Sequence, residues 1–125
     1  MESADIRRVT LVSFDIDGTL EVGDPPGLVT LAMVASVKRR GWLIGSGSDR
    51  PISHQEAIWK RLRIVPDFTV LKHRLADVRR RFSAHAYYHI GDTDLDQHFA
   101  EGAGFEFLRA DAAAHEVWGP RLFGT

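Results

Sequence analysis

The chain has 125 residues, of which 44% are hydrophobic and 26% are charged, and this size predicts one domain over residues 1–125 with a single core. Sixteen Lys and Arg against seventeen Asp and Glu give a formal net charge of −1, which offers no global electrostatic argument for nucleic acid or an anionic membrane. The absence of cysteine excludes disulfides and thiolate metal sites, so carboxylates, histidines and backbone oxygens remain as strong metal ligands.

The first residues give no sign of a targeting or membrane segment. Residues 1–5 are acidic and polar, without the apolar core of a secretory signal. No stretch approaches the roughly 18 apolar residues of a membrane span. We therefore expect a cytoplasmic protein with no membrane partner.

A short acidic segment follows the first predicted strand. Residues 9–14 are apolar and partly β-branched, which is typical of a strand buried on both faces. Asp15 and Asp17 come directly after it and project in roughly the same direction on an extended chain, and Gly18 favours a sharp turn. Carboxylates held this close repel each other, so we expect a cation beside them. Such a sequence is also common as a simple turn, and the rest of the chain must decide between the two readings.

The next part of the chain predicts a loop, a helix and a second strand. Residues 21–27 are rich in Gly and Pro and predict an irregular loop. Gly41 marks the end of a helix packed on a sheet, and residues 42–45 form a short apolar strand. The apolar positions of that helix are Leu28, Leu31, Ala32 and Ala35.

A second helix has an apparent start signal. Ser53 and Glu56 have the spacing of a capping box at the amino-terminal end of a helix. Ile58 and Leu62 would then face the core, and Pro66 would end the element.

The third strand is predicted over residues 68–71, and a helix over 74–82 follows it. In that helix Leu75, Val78 and Phe82 share one face, which we expect to be buried.

The last third of the chain continues the alternation of predicted strands and helices. Residues 86–90 predict a fourth strand, 105–108 a fifth, and 111–118 a final helix. The helix between the last two strands would present its apolar residues inward, namely Leu95, Phe99 and Ala103.

Five strands alternating with helices predict an α/β fold of the three-layer Rossmann-like type, with a mainly parallel five-stranded sheet and helices on both faces. Ligands bind at the carboxyl ends of the strands in such sheets. Acidic or hydroxyl clusters follow three of the predicted strands, at 15–17, 46–48 and 92–96. This regularity favours a functional site over chance turns.

The chemistry-bearing residues form a known set: Asp15-x-Asp17-Gly18-Thr19, then Ser46, then Lys72, then Gly91-Asp92-Thr93-x-x-Asp96. Over residues 9 to about 96 this set resembles the haloacid dehalogenase (HAD) superfamily of phosphohydrolases. The resemblance implies a HAD-like core, dependence on Mg²⁺ and phosphoryl transfer through an aspartyl-phosphate. Phosphatases of the superfamily keep an acid two residues after the nucleophile, so Asp17 indicates phosphomonoester hydrolysis rather than dehalogenation.

The resemblance implies a role for each acid. Asp15 would be the nucleophile and Asp17 the general acid and base. The metal ligands would be the carboxylate of Asp15, the backbone carbonyl of Asp17 and the carboxylate of Asp92.

The remaining matched residues would serve the phosphoryl group. Ser46, preferred to Ser48 because it directly follows the strand, would donate a hydrogen bond to it. Lys72 would add positive charge, and Asp96 would orient Lys72 or a metal-bound water. Further candidate substrate contacts are Gly18, Thr19, Gly47, Arg50 and His73.

Only short segments separate the first three motifs, so we expect no inserted cap domain and an open site. An open site suits a phosphorylated small molecule or a macromolecular phosphoester, and a homo-oligomer could supply a covering subunit. An EF-hand over residues 92–103 is excluded, because Gln97 and Ala103 stand where Gly and Glu are needed. The six histidines form no ligand pair on a helix, so we expect them to be structural or at the surface.

Two alternatives of other classes remain open. One is a non-catalytic binding module that retains the fold. The other is a nucleic-acid end-processing phosphatase, for which the net charge gives no support. It is prompted by the basic residues Lys60, Arg61, Arg63, Lys72, Arg74, Arg79, Arg80 and Arg81.

Overall fold

The computed structural model describes residues 9–123, so the expectation for residues 1–5 lies outside the described residues. The elements in chain order are β1 (Thr10–Phe14), α1 (Leu31–Arg39), β2 (Leu43–Ser48), α2 (Ile52–Leu62), β3 (Phe68–Leu71), a 3₁₀ turn (Lys72–Arg74), α3 (Leu75–Arg81), β4 (Ala86–Gly91), α4 (Asp94–Gly102), β5 (Glu106–Arg109) and α5 (Ala112–Phe123). Among these helices, none is long and apolar enough to cross a membrane.

The five strands form one parallel sheet in the order β3-β2-β1-β4-β5. Helices cover the sheet, as consecutive parallel strands require helical crossovers. The predicted α/β, Rossmann-like fold is therefore confirmed. The strand order reverses between β1 and β4, and a crevice at the carboxyl ends of these two strands is the expected ligand position in such a sheet.

Two apolar clusters lie on opposite faces of the sheet. Side chains alternate along β1, so Val12 and Phe14 face one cluster while Leu11 faces the other. The first cluster receives α1, α2 and α5, with Trp59 and Trp118 as its largest helical side chains. The second receives α3 and α4. Burial of each large apolar side chain contributes roughly 1.5–3 kcal/mol, so the two clusters hold the strand ends in a fixed arrangement.

The predicted inward faces of two helices are only partly correct, since Ala103 packs against the second cluster but other predicted residues are exposed. In α1 the buried residues are Val34 and Val37, whereas Leu31 and Ala32 are exposed. In α4 Leu95 is exposed, and Asp96 is buried instead. The apolar spacing alone did not fix which face turns inward, because in α4 a buried carboxylate finds polar partners inside the protein.

The predicted capping box of α2 is also wrong. The helix begins at Ile52 with Pro51 at its N-cap position, and no side chain caps it. Ser53 therefore already lies inside the first turn. Of the two residues predicted to face inward, Ile58 is buried as expected and Leu62 is half-buried.

The later predictions are closer to the structure. Leu75 and Val78 are buried in α3 as predicted, while Phe82 lies just beyond the helix. The strand β2 runs on to Ser48, past the predicted end at Gly45. This extension changes which serine reaches the edge of the sheet.

Candidate active site

An open pocket lies at the carboxyl ends of the strands. The end of β1, the end of β2, the 3₁₀ turn after β3 and the end of β4 all contribute to it, as expected at the switch point of the sheet. Its lining residues are Asp15, Asp17, Pro25, Ser48, Asp49, Lys72, Asp92 and Thr93. Four of the residues predicted from the sequence, Asp15, Asp17, Lys72 and Asp92, thus meet in one pocket.

Gly18 brings the first acidic segment close to Asp92. Gly18 has a φ of +77°, a left-handed conformation that favours glycine. A Cβ atom at this position would lie 1.9 Å from Oδ2 of Asp92, so any other residue would displace that carboxylate. The backbone N–H of Asp15 donates to the carbonyl of Ile90 over 2.9 Å, which fixes the other side of the crevice.

Three carboxylates could hold a cation in this pocket. One oxygen each of Asp15, Asp92 and Asp96 lie within 4.8 Å of one another. Both oxygens of Asp96 are already engaged by neighbouring donors, so Asp15 and Asp92 are the carboxylates left for a metal. An all-oxygen set of this kind fits a hard divalent cation such as Mg²⁺.

Lys72 lies among carboxylates and is 4% exposed. Its Nζ lies 3.0 Å from Asp96, 3.5 Å from Asp15 and 3.6 Å from Asp49. Burial alone would lower the pKa of Lys72, but the adjacent carboxylates outweigh burial and raise its pKa above the ordinary value. The pocket therefore contains a charged ammonium group beside Asp15.

In Asp15, by contrast, the effect of burial on the pKa outweighs the effect of the nearby opposite charge. Burial and the negative charge of Asp96 raise the pKa of Asp15 to about 8, although Lys72 acts in the other direction. Burial and Asp96 thus disfavour the charged form of Asp15 when no further positive charge is present. A bound cation would favour the carboxylate form.

Asp96 is fully buried at the start of α4, and its carboxylate is held by three hydrogen bonds and an ion pair with Lys72. Its Oδ2 accepts from the hydroxyl of Thr93 at 2.7 Å and from the backbone N–H of Thr93 at 3.2 Å, which forms the capping box of the helix. Its Oδ1 lies 2.9 Å from Nε2 of His89 and 3.0 Å from Lys72. Burial would raise the pKa of Asp96, but the bonds from His89 and Thr93 outweigh it and hold that pKa well below its usual range.

The buried ion pair of Asp96 with Lys72 predicts a specific dependence of protein stability on pH. Asp96→Asn should lower the free energy of unfolding by about 3 kcal/mol at pH 7, because it removes one partner of a buried pair. The folded-state pKa of Asp96 lies below its unfolded value, so its stabilisation is complete above roughly pH 4 and is lost as the pH falls further. The gap between wild type and variant should therefore shrink below about pH 4.

Urea unfolding between pH 7 and pH 2 without added divalent cations measures this gap. Asp94→Asn is the matched control, since Asp94 lies two residues earlier in the same helix and its side chain is 96% exposed. That control should follow the wild type closely. A gap for Asp96→Asn that keeps its size throughout the acid range contradicts the prediction.

Asp17 is held by Arg50 and the following loop. The guanidinium donates to both carboxylate oxygens, over 2.7 Å and 3.0 Å, and the backbone N–H of Asp24 donates over 2.8 Å. The hydrogen bonds from Arg50 lower the pKa of Asp17 against a smaller effect of burial. Arg50, predicted as a substrate contact, is therefore bound to Asp17 and is absent from the pocket lining.

The structure places Ser48, rather than the predicted Ser46, in the pocket lining. Ser46 is fully buried inside β2, where its hydroxyl donates to Oε1 of Gln55 at 2.6 Å and accepts from Nε1 of Trp59 at 3.0 Å. Ser48 lines the pocket, because β2 extends further than its apolar run indicates. Its Oγ accepts from the backbone N–H of Arg50, which leaves the hydroxyl proton free to point elsewhere.

Other predicted contacts also lie away from the pocket lining. Gly47 is buried within β2. Thr19 is fully buried, and its hydroxyl has no hydrogen-bond partner within residues 9–123. His73 is exposed, with its ring centroid 6.3 Å from that of Phe99. Gly18 acts through its approach to Asp92 rather than as a lining residue.

Two polar residues were missed by the interpretation of the sequence. Asp49 lines the pocket at its mouth and lies beside Lys72. His89 is fully buried in β4 and contacts both Asp96 and Ser13. The signal for His89 was its position as a polar residue in an otherwise apolar strand, directly before the Gly-Asp motif.

Comparison with models of protein families gave no match, and comparison with curated proteins gave none either. The class of the protein therefore rests on its fold and its pocket. It is an α/β protein with a parallel five-stranded sheet and an acidic pocket at the switch point, where the carboxylates of Asp15 and Asp92 could bind a metal ion.

Proposed function

We propose that this protein is a Mg²⁺-dependent phosphomonoesterase of the haloacid dehalogenase superfamily. The observation that carries the proposal is the meeting of Asp15, Asp17, Lys72 and Asp92 in one open pocket at the switch point of the sheet. These residues come from separate parts of the chain, and each has the chemistry that phosphoryl transfer through a carboxylate requires.

Asp15 and Asp92 would hold the cation, together with oxygens that the phosphate and water supply. When bound, Mg²⁺ offsets the negative charge of the phosphate and of the carboxylates around it. The raised pKa of Asp15 supports this assignment, because the nucleophile needs added positive charge to be ionised at neutral pH.

The reaction would proceed in two displacements at phosphorus. A carboxylate oxygen of Asp15 forms a bond to phosphorus as the ester P–O bond breaks, and Asp17, which is ionised beside Arg50, takes a proton from the phosphate monoanion of the substrate and passes it to the departing alcohol. In the second step water attacks phosphorus and gives a proton to Asp17, while the bond between phosphorus and Asp15 breaks. Inorganic phosphate leaves with the proton that Asp17 took from water, and both carboxyl groups return to their starting forms.

Lys72 and Ser48 would stabilise the charge that spreads over the transferring group. The ammonium of Lys72 lies 3.5 Å from Oδ2 of Asp15. The hydroxyl of Ser48 accepts from the backbone N–H of Arg50 and keeps its own proton for donation into the pocket. Donors fixed before the reaction favour the transition state at little cost in reorganisation.

A phosphorylated small molecule is the better substrate class for this pocket. Most basic residues that suggested nucleic acid lie at the carboxyl ends of α2 and α3, near residues 60–63 and 79–81. Helices that connect parallel strands run antiparallel to them, so these ends lie at the edge of the sheet opposite the pocket. The exposed acid Asp49 at the pocket mouth also disfavours a polyanion.

Phosphate release from an aryl phosphate and from a panel of phosphorylated metabolites tests the proposal. Activity should require Mg²⁺ and disappear with a chelator, then return when Mg²⁺ is restored. The oligomeric state should be measured on the same sample, because a neighbouring subunit could cover the pocket. If a correctly folded protein releases no phosphate from any substrate with Mg²⁺ present, the binding-module alternative is favoured instead.

Mutation of the two serines of β2 should affect different properties, kcat for Ser48 and stability for Ser46. Ser48→Ala should lower kcat by roughly 10²-fold with little loss of stability, since it removes a donor to the phosphoryl group. Ser46→Ala should leave kcat nearly unchanged but cost about 1–3 kcal/mol of stability, because Gln55 and Trp59 lose a buried partner. Steady-state kinetics and urea unfolding of both variants measure these effects, and the reverse pattern would restore Ser46 as the phosphoryl contact.

A further inference from the structure

A chain of buried hydrogen bonds crosses the sheet beneath the pocket. The hydroxyl of Ser13 on β1 lies 2.9 Å from Nδ1 of His89 on β4, and Nε2 of the same ring lies 2.9 Å from Oδ1 of Asp96. That oxygen lies 3.0 Å from Nζ of Lys72, which in turn lies 3.5 Å from Asp15. Ser13, His89 and Asp96 are all fully buried.

The partners of His89 determine where its proton lies. A carboxylate oxygen accepts but does not donate, so Nε2 must carry a hydrogen to bond Asp96. Burial lowers the pKa of His89, so the ring is neutral and Nδ1 carries no hydrogen. Nδ1 therefore accepts from the hydroxyl of Ser13, so the hydrogen bonds of Ser13 and His89 both run toward Asp96, which also forms an ion pair with Lys72.

His89 also limits the orientation of the Asp96 carboxylate. Thr93 holds one oxygen, but its two bonds alone allow the other oxygen to turn about the helix end. The ring of His89 approaches that second oxygen from the sheet, while Lys72 approaches from the pocket. Without His89, the oxygen that anchors Lys72 would lose its fixed position.

We propose that His89 is a positioning residue, which holds the Asp96 carboxylate so that Lys72 stays beside Asp15. This inference rests on the proposed function for its kinetic consequence, although the placement of Lys72 can be measured without any activity. His89 does not contact the pocket and is not assigned a catalytic role.

A matched pair of amide substitutions tests which ring nitrogen of His89 is needed to hold Asp96. The Gln side chain places its N–H near the position of Nε2, whereas the shorter Asn reaches only the position of Nδ1. His89→Gln should therefore keep the bond to Asp96 and most of kcat. His89→Asn should keep only the bond to Ser13 and lose roughly tenfold or more in kcat with little change in KM. Similar kcat values for the two variants overturn the inference.

The reactivity of Lys72 toward an acylating reagent gives a second readout that needs no turnover. The sequence holds lysine only at positions 38, 60 and 72, so Lys38 and Lys60 serve as internal references at the surface. Peptide mass spectrometry should show that Lys72 reacts slowly in the wild type and in His89→Gln. In His89→Asn it should react roughly tenfold faster relative to the references. Equal protection in both variants contradicts the inference.

Ile90→Val controls for general loosening of β4, because Ile90 is the next residue and faces the opposite cluster. It should cost stability without exposing Lys72. If neither His89 variant folds, nitrogen-15 NMR of the wild-type histidines decides, since the inference requires the Nε2–H tautomer for His89 and an Nδ1–H tautomer would overturn it. Loss of Lys72 protection in His89→Asn supports the inference even if no substrate is turned over, whereas the absence of turnover bears on the proposed function alone.

Discussion

Asp15→Asn is expected to abolish phosphate release, with a loss of roughly 10⁴-fold or more in kcat. An amide oxygen is a poor nucleophile, so the first displacement at phosphorus no longer has an attacking group. The substitution also removes one of the two carboxylates left for the cation. Phosphate release with saturating Mg²⁺ measures the loss, and urea unfolding establishes that the variant is folded.

The covalent intermediate gives a more direct result than the rate. Acid quenching of the wild type during turnover should leave one HPO₃ group on the peptide that contains Asp15, and hydroxylamine should remove it because acyl phosphates react with this reagent. The same peptide from Asp15→Asn should carry no such group. Phosphate on another residue, or turnover by the variant near the wild-type rate, would contradict the assignment of Asp15 as nucleophile.

Asp111→Asn is the matched control for this experiment. Asp111 follows β5 at the same edge of the sheet, is exposed and lies outside the pocket lining. Loss of one carboxylate there should leave the rate and the intermediate unchanged. The comparison separates the position of the carboxylate from the change in net charge.

The sheet could be predicted from the sequence because each strand carries its own local signal. The apolar runs around Val12, Val70 and Ile90 are short and are followed by polar segments, and this pattern is nearly sufficient for a parallel sheet. The position of Asp15 and Asp92 at the same edge then follows from topology rather than from any contact. For this reason the sequence predicts that the first and last acidic motifs meet, and in the structure Asp15 and Asp92 line the same pocket.

The extent of β2 could not be predicted in the same way. Its apolar run ends at Gly45, and the residues that follow are small and polar. They continue the strand because β3 pairs with them up to Ser48 and because Gln55 and Trp59 of α2 satisfy the hydroxyl of Ser46. Those partners are distant in sequence, so spacing alone gave no reason to prefer Ser48.

The inward face of α4 could not be predicted from the sequence either. Hydrophobicity favours Leu95 as a core residue, yet Asp96 is buried. A carboxylate tolerates burial only when donors surround it, and here the donors come from β4, the 3₁₀ turn and the N-cap of the helix. The spacing of residues in the sequence likewise gave no indication of the partners of His89.

Asp17→Asn is expected to lower kcat by about 10²–10⁴-fold for an alkyl phosphate, since it removes the group that protonates the leaving alcohol. The amide keeps an oxygen that can accept from Arg50 and from the backbone of Asp24, so the loop should stay in place. Mg²⁺ binding should persist, because the side chain of Asp17 is absent from the carboxylates that could hold the cation. Titration calorimetry with Mg²⁺ and alkyl phosphate kinetics measure the two results separately.

The choice of leaving group tests whether Asp17 moves protons or only shapes the pocket. A nitrophenolate leaves without protonation, so the first step should remain fast for an aryl phosphate in Asp17→Asn. The second step still needs a base to take the proton of water, so phosphorylated Asp15 should accumulate. Rapid mixing should then show a burst of about one nitrophenolate per protein, followed by slow turnover.

Arg50→Met is the matched control for Asp17→Asn, because it removes the partner of Asp17 but keeps the carboxylate. Without the guanidinium the pKa of Asp17 should rise toward its ordinary value, and the acid and base steps should both remain available. This variant should therefore show no burst and a smaller loss of kcat than Asp17→Asn. An equal loss for alkyl and aryl phosphates in Asp17→Asn, without accumulation of phosphorylated Asp15, would show that Asp17 supports the shape of the pocket rather than proton transfer.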